Sequence, residues 1–202
     1  MSDHYYSRNP QVDSNPDEWN FTLRGKTFRF KTDAGVFSKR EVDFGSRLLI
    51  ESFVEPEVSG DRPIIDVGCG YGPIGLSLAG SYNNRTIHMV DVNERAILLS
   101  GENAQINQIK NVKIYESSVF QNVQENEFAA VVSNPPIRAG KKVVHEILEQ
   151  SKSVLQVGGE LWIVIQKKQG APSAMSKMED VFGNVEVILK KKGYYILKSK
   201  KV

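Results

Sequence analysis

Three short stretches carry residue types that chemistry would use. The first is Asp66-Val67-Gly68-Cys69-Gly70-Tyr71-Gly72, directly after the apolar run Ile64-Ile65. Glycines between a strand and a helix tolerate positive φ and let backbone approach a ligand closely, and three alternating glycines are more than a turn requires. Gly70-Tyr71-Gly72-Pro73-Ile74-Gly75 also fits the G-x-G-x-x-G spacing of dinucleotide sites. Asp66 weakens that match, because a carboxylate at the strand end repels pyrophosphate and suits a cationic or amine-bearing ligand. The second is Asp91, 21 residues beyond Gly70, at the end of the next apolar run. A carboxylate there can accept both hydroxyls of a ribose, or it can cap the following helix. Both NAD and S-adenosylmethionine fit this arrangement.

The third stretch, Ser133-Asn134-Pro135-Pro136-Ile137, separates the two. Consecutive prolines remove two backbone donors and hold the preceding residues extended. The Asn134 amide oxygen and the neighbouring carbonyls become fixed acceptors, which suits a planar exocyclic amine. Asn134, Pro135 and Pro136 are the expected catalytic residues. His4, His88 and His145 are scattered, with no ligand spacing to Cys69 or to carboxylates, so no metal site is expected.

The elements that must position these residues follow from periodicity. Trp19–Leu23 and Thr27–Phe30 alternate apolar and polar around Arg24-Gly25-Lys26, a hairpin signal. Phe44, Leu48, Leu49 and Phe53 recur at helical spacing over 43–53. From Pro63 onward strand and helix alternate. Strands are expected at 64–67, 86–92, 112–115, 128–132 and 161–165, and helices at 73–79, 94–107, 141–155 and 173–182. Val157-Gly158-Gly159 is expected to stop the helix over 141–155. Strands 185–189 and 194–197 have only a short turn between them and should pair antiparallel. The pattern predicts an α/β fold: a doubly wound, mostly parallel seven-stranded sheet with a C-terminal antiparallel hairpin and an N-terminal β-hairpin and helix extension. Residues 1–17 read as a flexible arm. Residues 18–202 read as one domain, with 18–56 the extension and 63–202 the cofactor-binding core.

Composition bounds the function. The chain has 202 residues, 40% of them hydrophobic and 25% charged, so wholesale disorder is excluded. The longest apolar runs, Phe128–Val132 and Leu161–Ile165, fall far short of the roughly 20 residues of a membrane span. The N-terminus lacks a signal-peptide pattern, and the lone Cys69 cannot form an intrachain disulfide; a cytoplasmic setting is expected. A net charge of +2 is the sum of +1 over residues 1–47, −6 over 48–137 and +7 over 138–202. Two basic stretches, Arg24–Arg40 and Lys190–Lys201, could attract a polyanion, or serve solubility and edge protection.

The glycine loop at 66–72 resembles that of class I S-adenosylmethionine-dependent methyltransferases. Asn134-Pro135-Pro136-Ile137 resembles the Asn-Pro-Pro-aromatic motif of those that methylate exocyclic or amide nitrogens. Ala34–Ser38, Val42–Leu49 and Gly158–Leu161 are similar to the small-subunit ribosomal RNA guanine-N2 methyltransferases, and the resemblance spans roughly residues 18–200. It implies a Rossmann-like methyltransferase sheet, S-adenosylmethionine as cofactor, and RNA, either ribosomal RNA or a small ribosomal subunit, as partner. Membrane and metal are not implied. The cofactor would lie on Asp66, Gly68, Cys69, Gly70, Asp91, Val92, Ser118, Val119 and Asn134. Phe37, Phe44 and Ser46 would cover its methionine end. Ile137 stands where the family has an aromatic residue, and Arg138 where a histidine commonly follows. These two would meet the substrate, Ile137 packing on a base and Arg138 stacking or gripping phosphate. Arg24–Arg40 would add phosphate contacts. The expected reaction is methylation of guanine N2 in ribosomal RNA. Methylation of adenine or of a protein glutamine amide, nicotinamide oxidoreduction, and non-catalytic RNA binding are the alternatives.

Overall fold

Alternating apolar residues build the first hairpin. In the computed structural model, which describes residues 13–36, 41–58 and 60–202, strand β1 (Asp17–Leu23) pairs antiparallel with β2 (Lys26–Thr32). Arg24 and Gly25 form the turn at φ 49° and 74°, the left-handed pair that a two-residue hairpin requires. The apolar face sets Trp19 5.4 Å from Phe30, and Phe30 packs 5.5 Å from Tyr71.

Helix α1 (Phe44–Ser52) follows, capped by Asp43, whose side chain accepts from the Ser46 N–H. The remaining elements alternate: β3 (Ile64–Val67), α2 (Pro73–Ser81), β4 (Ile87–Asp91), α3 (Glu94–Ile106), β5 (Val112–Glu116), β6 (Phe128–Ser133), α4 (Lys141–Val154), β7 (Leu155–Gln166), α5 (Ala171–Phe182), β8 (Glu186–Lys191) and β9 (Tyr194–Lys200). The large sheet has the order β5-β4-β3-β6-β7-β9-β8. Its pairs are parallel except those made by β9, which runs antiparallel to both β7 and β8. One face is covered by the first hairpin with α1, α2 and α3, the other by α4 and α5. The fold is the doubly wound sheet with a C-terminal hairpin that the periodicity predicts.

The hairpin is fastened by side chains. Asn103 in α3 and Asn107 at its C-cap, four residues apart, take up the free edge of β2. Asn103 accepts from Lys31 N at 2.7 Å and donates to Lys31 O at 2.9 Å; Asn107 does the same with Arg29 at 2.9 and 2.8 Å. Two amides thus stand in for a neighbouring strand and close an edge that would otherwise be open to pairing.

The glycine pair at 158–159 departs from expectation. It does not stop α4, which ends at Val154; it lies inside β7 as an irregularity. Phe128 pairs with Leu155, but Ala130 pairs with Glu160. Gly158 takes φ 83°, and a Cβ on Gly159 would meet Phe128 O at 2.8 Å.

Candidate active site

Strands β3 and β6 are neighbours, yet the chain runs from β3 outward through β4 and β5 before returning to β6. Their carboxyl ends therefore open the crevice where ligands bind in such sheets. A cavity of about 810 Å³ lies there. Gly68, Cys69, Gly70, Asp91, Val92, Ser118, Val119, Asn134, Pro135, Pro136, Ile137, Arg138 and Ser46 all line it, although they come from five separate parts of the chain. Phe37 lies outside the described residues.

The glycine loop divides its work. Gly68 and Gly70 adopt φ 77° and 57°, and a Cβ on Gly70 would meet nothing within 4 Å, so that backbone faces open space. Gly75 faces inward, where a Cβ would lie 2.6 Å from Met89 Cγ; it lets α2 sit close on β4. Asp91 holds the loop to the end of β4. Its Oδ2 accepts from Gly70 N and its Oδ1 from Asn93 N, each at 2.9 Å. Burial raises its pKa against those hydrogen bonds. Asp91 is not the cap of α3; Asn93 is, accepting from Arg95 N and Ala96 N.

Asp66 differs from its expected place on the cofactor surface. Its side chain is wholly buried and is absent from the cavity wall. Oδ2 accepts from Gly75 N at 2.9 Å, while Oδ1 has no partner among the described residues. Burial pushes the carboxyl up to about 7, with the Gly75 hydrogen bond opposing and the Asp91 charge adding to the rise. Asp66 therefore supports the loop from beneath. Cys69 reaches the wall, but burial raises its thiol well above the usual range, so it stays protonated.

Asn134 is oriented by the N-terminal extension. Its Nδ2 donates to Asp43 Oδ2 at 3.1 Å and to Ser46 Oγ at 3.0 Å. A carboxylate can only accept, so the nitrogen side of the amide must face Asp43. Oδ1 is left as the outward acceptor. The Pro136 carbonyl is occupied by Ala139 N at 2.8 Å, whereas the Pro135 carbonyl accepts from no group among the described residues. The site thus holds two fixed acceptors, Asn134 Oδ1 and Pro135 O. Ser46 was expected over the cofactor; its hydroxyl here meets the Asn134 amide.

Other expected residues sit differently. Phe44 is turned from the cavity toward Tyr194, with ring centroids 5.4 Å apart, and Arg47 and Lys192 lie over it. Tyr194 itself lines the cavity and brings an aromatic ring to a wall where the Asn-Pro-Pro stretch supplies only Ile137. Its place depends on Gly45, where a Cβ would lie 2.8 Å from the ring. Val119 holds φ 52°, a strained angle for a β-branched residue, with its carbonyl accepting from Ser117 Oγ at 3.0 Å.

The basic segment over 24–40 is engaged within the fold as far as it is described. Arg24 donates to Ile50 O and Phe53 O at the end of α1, Lys26 meets Gly80 O, Arg29 pairs with Glu18 and Lys31 with Glu102. These four are not free phosphate contacts; Lys39 and Arg40 lie outside the described residues. His88 is buried against Tyr115, its pKa lowered to about 4 by burial. His145 meets Ser173, and no metal-binding group of three or more His, Cys, Asp or Glu occurs among the described residues. No helix among them is long and apolar enough to cross a membrane.

The methyltransferase small-domain family matches residues 27–198, which span the hairpin, the glycine loop and the Asn134 end of β6. The chain belongs to this family. Its resemblance to class I methyltransferases, and S-adenosylmethionine as the cofactor, are thereby met. An uncharacterized Bacillus subtilis protein, YbxB, is 65% identical over the full length of both chains. Ribosomal RNA small subunit methyltransferase C of Haemophilus influenzae is 33% identical over 76% of this chain and 46% of its own. Ribosomal RNA large subunit methyltransferase G of Pectobacterium atrosepticum is 30% identical over 91% of this chain and 48% of its own. Among solved structures, the Thermus thermophilus 16S rRNA N2 G1207 methyltransferase, in complex with AdoMet and guanosine, superposes with a TM-score of 0.83. It is 25% identical, and the match covers 96% of this chain and 52% of that one. The chain spans about half the length of these named methyltransferases.

Asp43 and Tyr194 are the site residues that motif reading passes over. Asp43 carries a local signal, an acidic residue immediately before a helical repeat. Tyr194 carries none, because its position depends on β9 inserting between β7 and β8.

Proposed function

We propose that this protein is an S-adenosylmethionine-dependent N-methyltransferase of ribosomal RNA, acting in the cytoplasm on the exocyclic N2 amine of guanine. The observation that carries this reading is the fixed Asn134 amide, with Asp43 and Ser46 behind it and Oδ1 toward the cavity. The relatives and the structural neighbour support the substrate class.

The residues present fit the cofactor. Gly68 and Gly70 offer open positive-φ backbone, Asp91 stands at the end of β4 for ribose hydroxyls, and Ser118 and Val119 supply a wall beyond it. Bound there, S-adenosylmethionine supplies a methyl group on a positively charged sulfur.

An exocyclic amine is a poor nucleophile because its lone pair is delocalised into the ring. Asn134 Oδ1 and Pro135 O accept its two N–H bonds and draw the nitrogen out of conjugation, freeing the lone pair. As the nitrogen takes up the methyl group and gains positive charge, the same two dipoles stabilise it without moving, since Asp43, Ser46 and the prolines already hold them. One of its two protons then passes to solvent at the cavity mouth, leaving a neutral methylated amine. Ile137 and Tyr194 offer surface to the base, and orientation within the cavity contributes the rest.

Methyl transfer from methyl-labelled S-adenosylmethionine into ribosomal RNA and ribosomal subunits, followed by nucleoside analysis, tests the reading. N2-methylguanosine is expected. Label appearing as N6-methyladenosine, in protein glutamine, or in nothing would overturn it.

A further inference from the structure

The mouth of the cavity is electrically lopsided. The connections after β6 and β7 and the β8–β9 turn all lie at the carboxyl edge of the sheet, since β8 runs parallel to β7 and β9 returns. They bring Arg138, Lys141, Lys142, Lys167, Lys168 and Lys192 to that edge, every one exposed and with no acidic residue in the same connections. The facing half of the edge, after β4 and at the end of β5, carries Asp91, Glu94 and Glu116 against Arg95 alone.

Within the protein, these cations have little to neutralise them. Among the described residues Arg138, Lys141, Lys142, Lys167 and Lys168 make no salt bridge, whereas Arg29, Lys31, Arg62 and Arg85 elsewhere each hold a carboxylate. Lys192 lies over the Phe44 ring at 5.1 Å, which leaves its charge uncancelled. Lys167 N donates to Gly193 O at 2.8 Å, so two of the three connections are tied together. The N-termini of α4 and α5 open on the same side, each capped by a glycine with no side-chain hydrogen bond, and their dipoles add positive potential.

Like charges gathered on one side of a cleft mouth raise the energy of the free protein and are relieved by a polyanion. We infer that a single-stranded RNA segment enters across the β6–β7–β9 half of the mouth, its phosphates held by Arg138, Lys141, Lys142, Lys167, Lys168 and Lys192. This rests on the reading of the site as an RNA base methyltransferase. A single strand is specified because a base must be free of its stack to reach Asn134. The acidic half of the mouth confines the strand to one side, and Arg24, Lys26, Arg29 and Lys31, engaged within the fold, take no part.

The test is fluorescence anisotropy of a labelled single-stranded RNA oligonucleotide across a potassium chloride series, with calorimetry for S-adenosylmethionine in parallel. K141Q/K142Q/K167Q/K168Q is compared with R29Q/R62Q/K110Q/K113Q, which removes the same charge from other exposed sites. Every phosphate deprived of its cation lowers the slope of log affinity against log salt by about 0.7. The first variant should therefore lose roughly 2–3 units of slope and at least tenfold in affinity, while the second stays near the wild type. Equal losses in both variants, an unchanged slope in the first, or undiminished binding to an RNA duplex would overturn the inference. Wild-type protein that binds RNA as described but not S-adenosylmethionine would leave the RNA path standing and contradict the methyltransferase reading instead.

Discussion

The side-chain amide of Asn134 donates to Asp43 Oδ2 at 3.1 Å, joining the end of β6 to the start of α1 across 91 residues of chain. The same carboxylate oxygen accepts the Ser46 N–H at 3.0 Å. One atom therefore both starts the helix and aims the amide. The N-terminal extension is thus built into the proposed amine-binding site.

Asp43→Ala should affect stability and turnover together. Losing the cap costs about 1 kcal/mol, and an amide held by Ser46 alone should lower the methyl-transfer rate about tenfold, with cofactor affinity within a few-fold. Asp43→Asn retains a carbonyl oxygen that can accept from both donors, and should restore most of each. Thermal melting beside single-turnover rates checks this. A variant Asp43→Ala that loses stability but transfers methyl groups at the wild-type rate would separate the two roles.

Two glycines of one loop should respond differently. Gly75→Ala forces a methyl group against Met89 and should cost roughly 1–3 kcal/mol of stability by overpacking, leaving S-adenosylmethionine affinity within a few-fold. Gly70→Ala meets no atom within 4 Å and costs roughly 1–2 kcal/mol for its left-handed angle. It should weaken the cofactor at least tenfold, because its methyl group enters the space proposed for the ligand. Melting curves and calorimetry on both variants distinguish packing from binding.

Asp66 predicts a pH dependence of stability. Its carboxyl is raised to about 7 by burial, above the unfolded value of about 4. Such a group contributes stability below the unfolded value and loses it as pH rises through the folded one. Asp66→Asn keeps an acceptor for Gly75 N–H but carries no proton to lose. Measured by urea unfolding, it should gain on the wild type by roughly 1–4 kcal/mol between pH 4 and 8. Parallel curves would show that Asp66 does not titrate in that range.

What the sequence made legible was local. The glycine loop, Asp91 and the Asn134-Pro135-Pro136 stretch announce themselves within a few residues. The alternation of strand and helix gives a doubly wound, mostly parallel sheet with a C-terminal hairpin, though not the insertion of β9 between β7 and β8. What stayed hidden depends on distant partners. Charge counting marks Arg24, Arg29 and Lys31 as a basic patch but cannot see Phe53 O, Glu18 or Glu102 waiting for them. Asn103 and Asn107 read as ordinary helix-surface residues until β2 is laid beside them. Gly158-Gly159 has the composition of a helix stop, and only the pairing of Lys201 N with Gly159 O at 2.9 Å reveals a strand that continues. Asp66 and Asp91 are both strand-end carboxylates, and their different depths come from tertiary packing.

The most direct test of the amine-clamp account is single-turnover methyl transfer from labelled S-adenosylmethionine to ribosomal RNA by wild-type protein and Asn134→Ala. Removing one fixed dipole at a developing charge should reduce the rate roughly 10²–10³-fold, with cofactor affinity by calorimetry unchanged within a few-fold. Asn134→Ala methylating RNA at the wild-type rate would contradict the account.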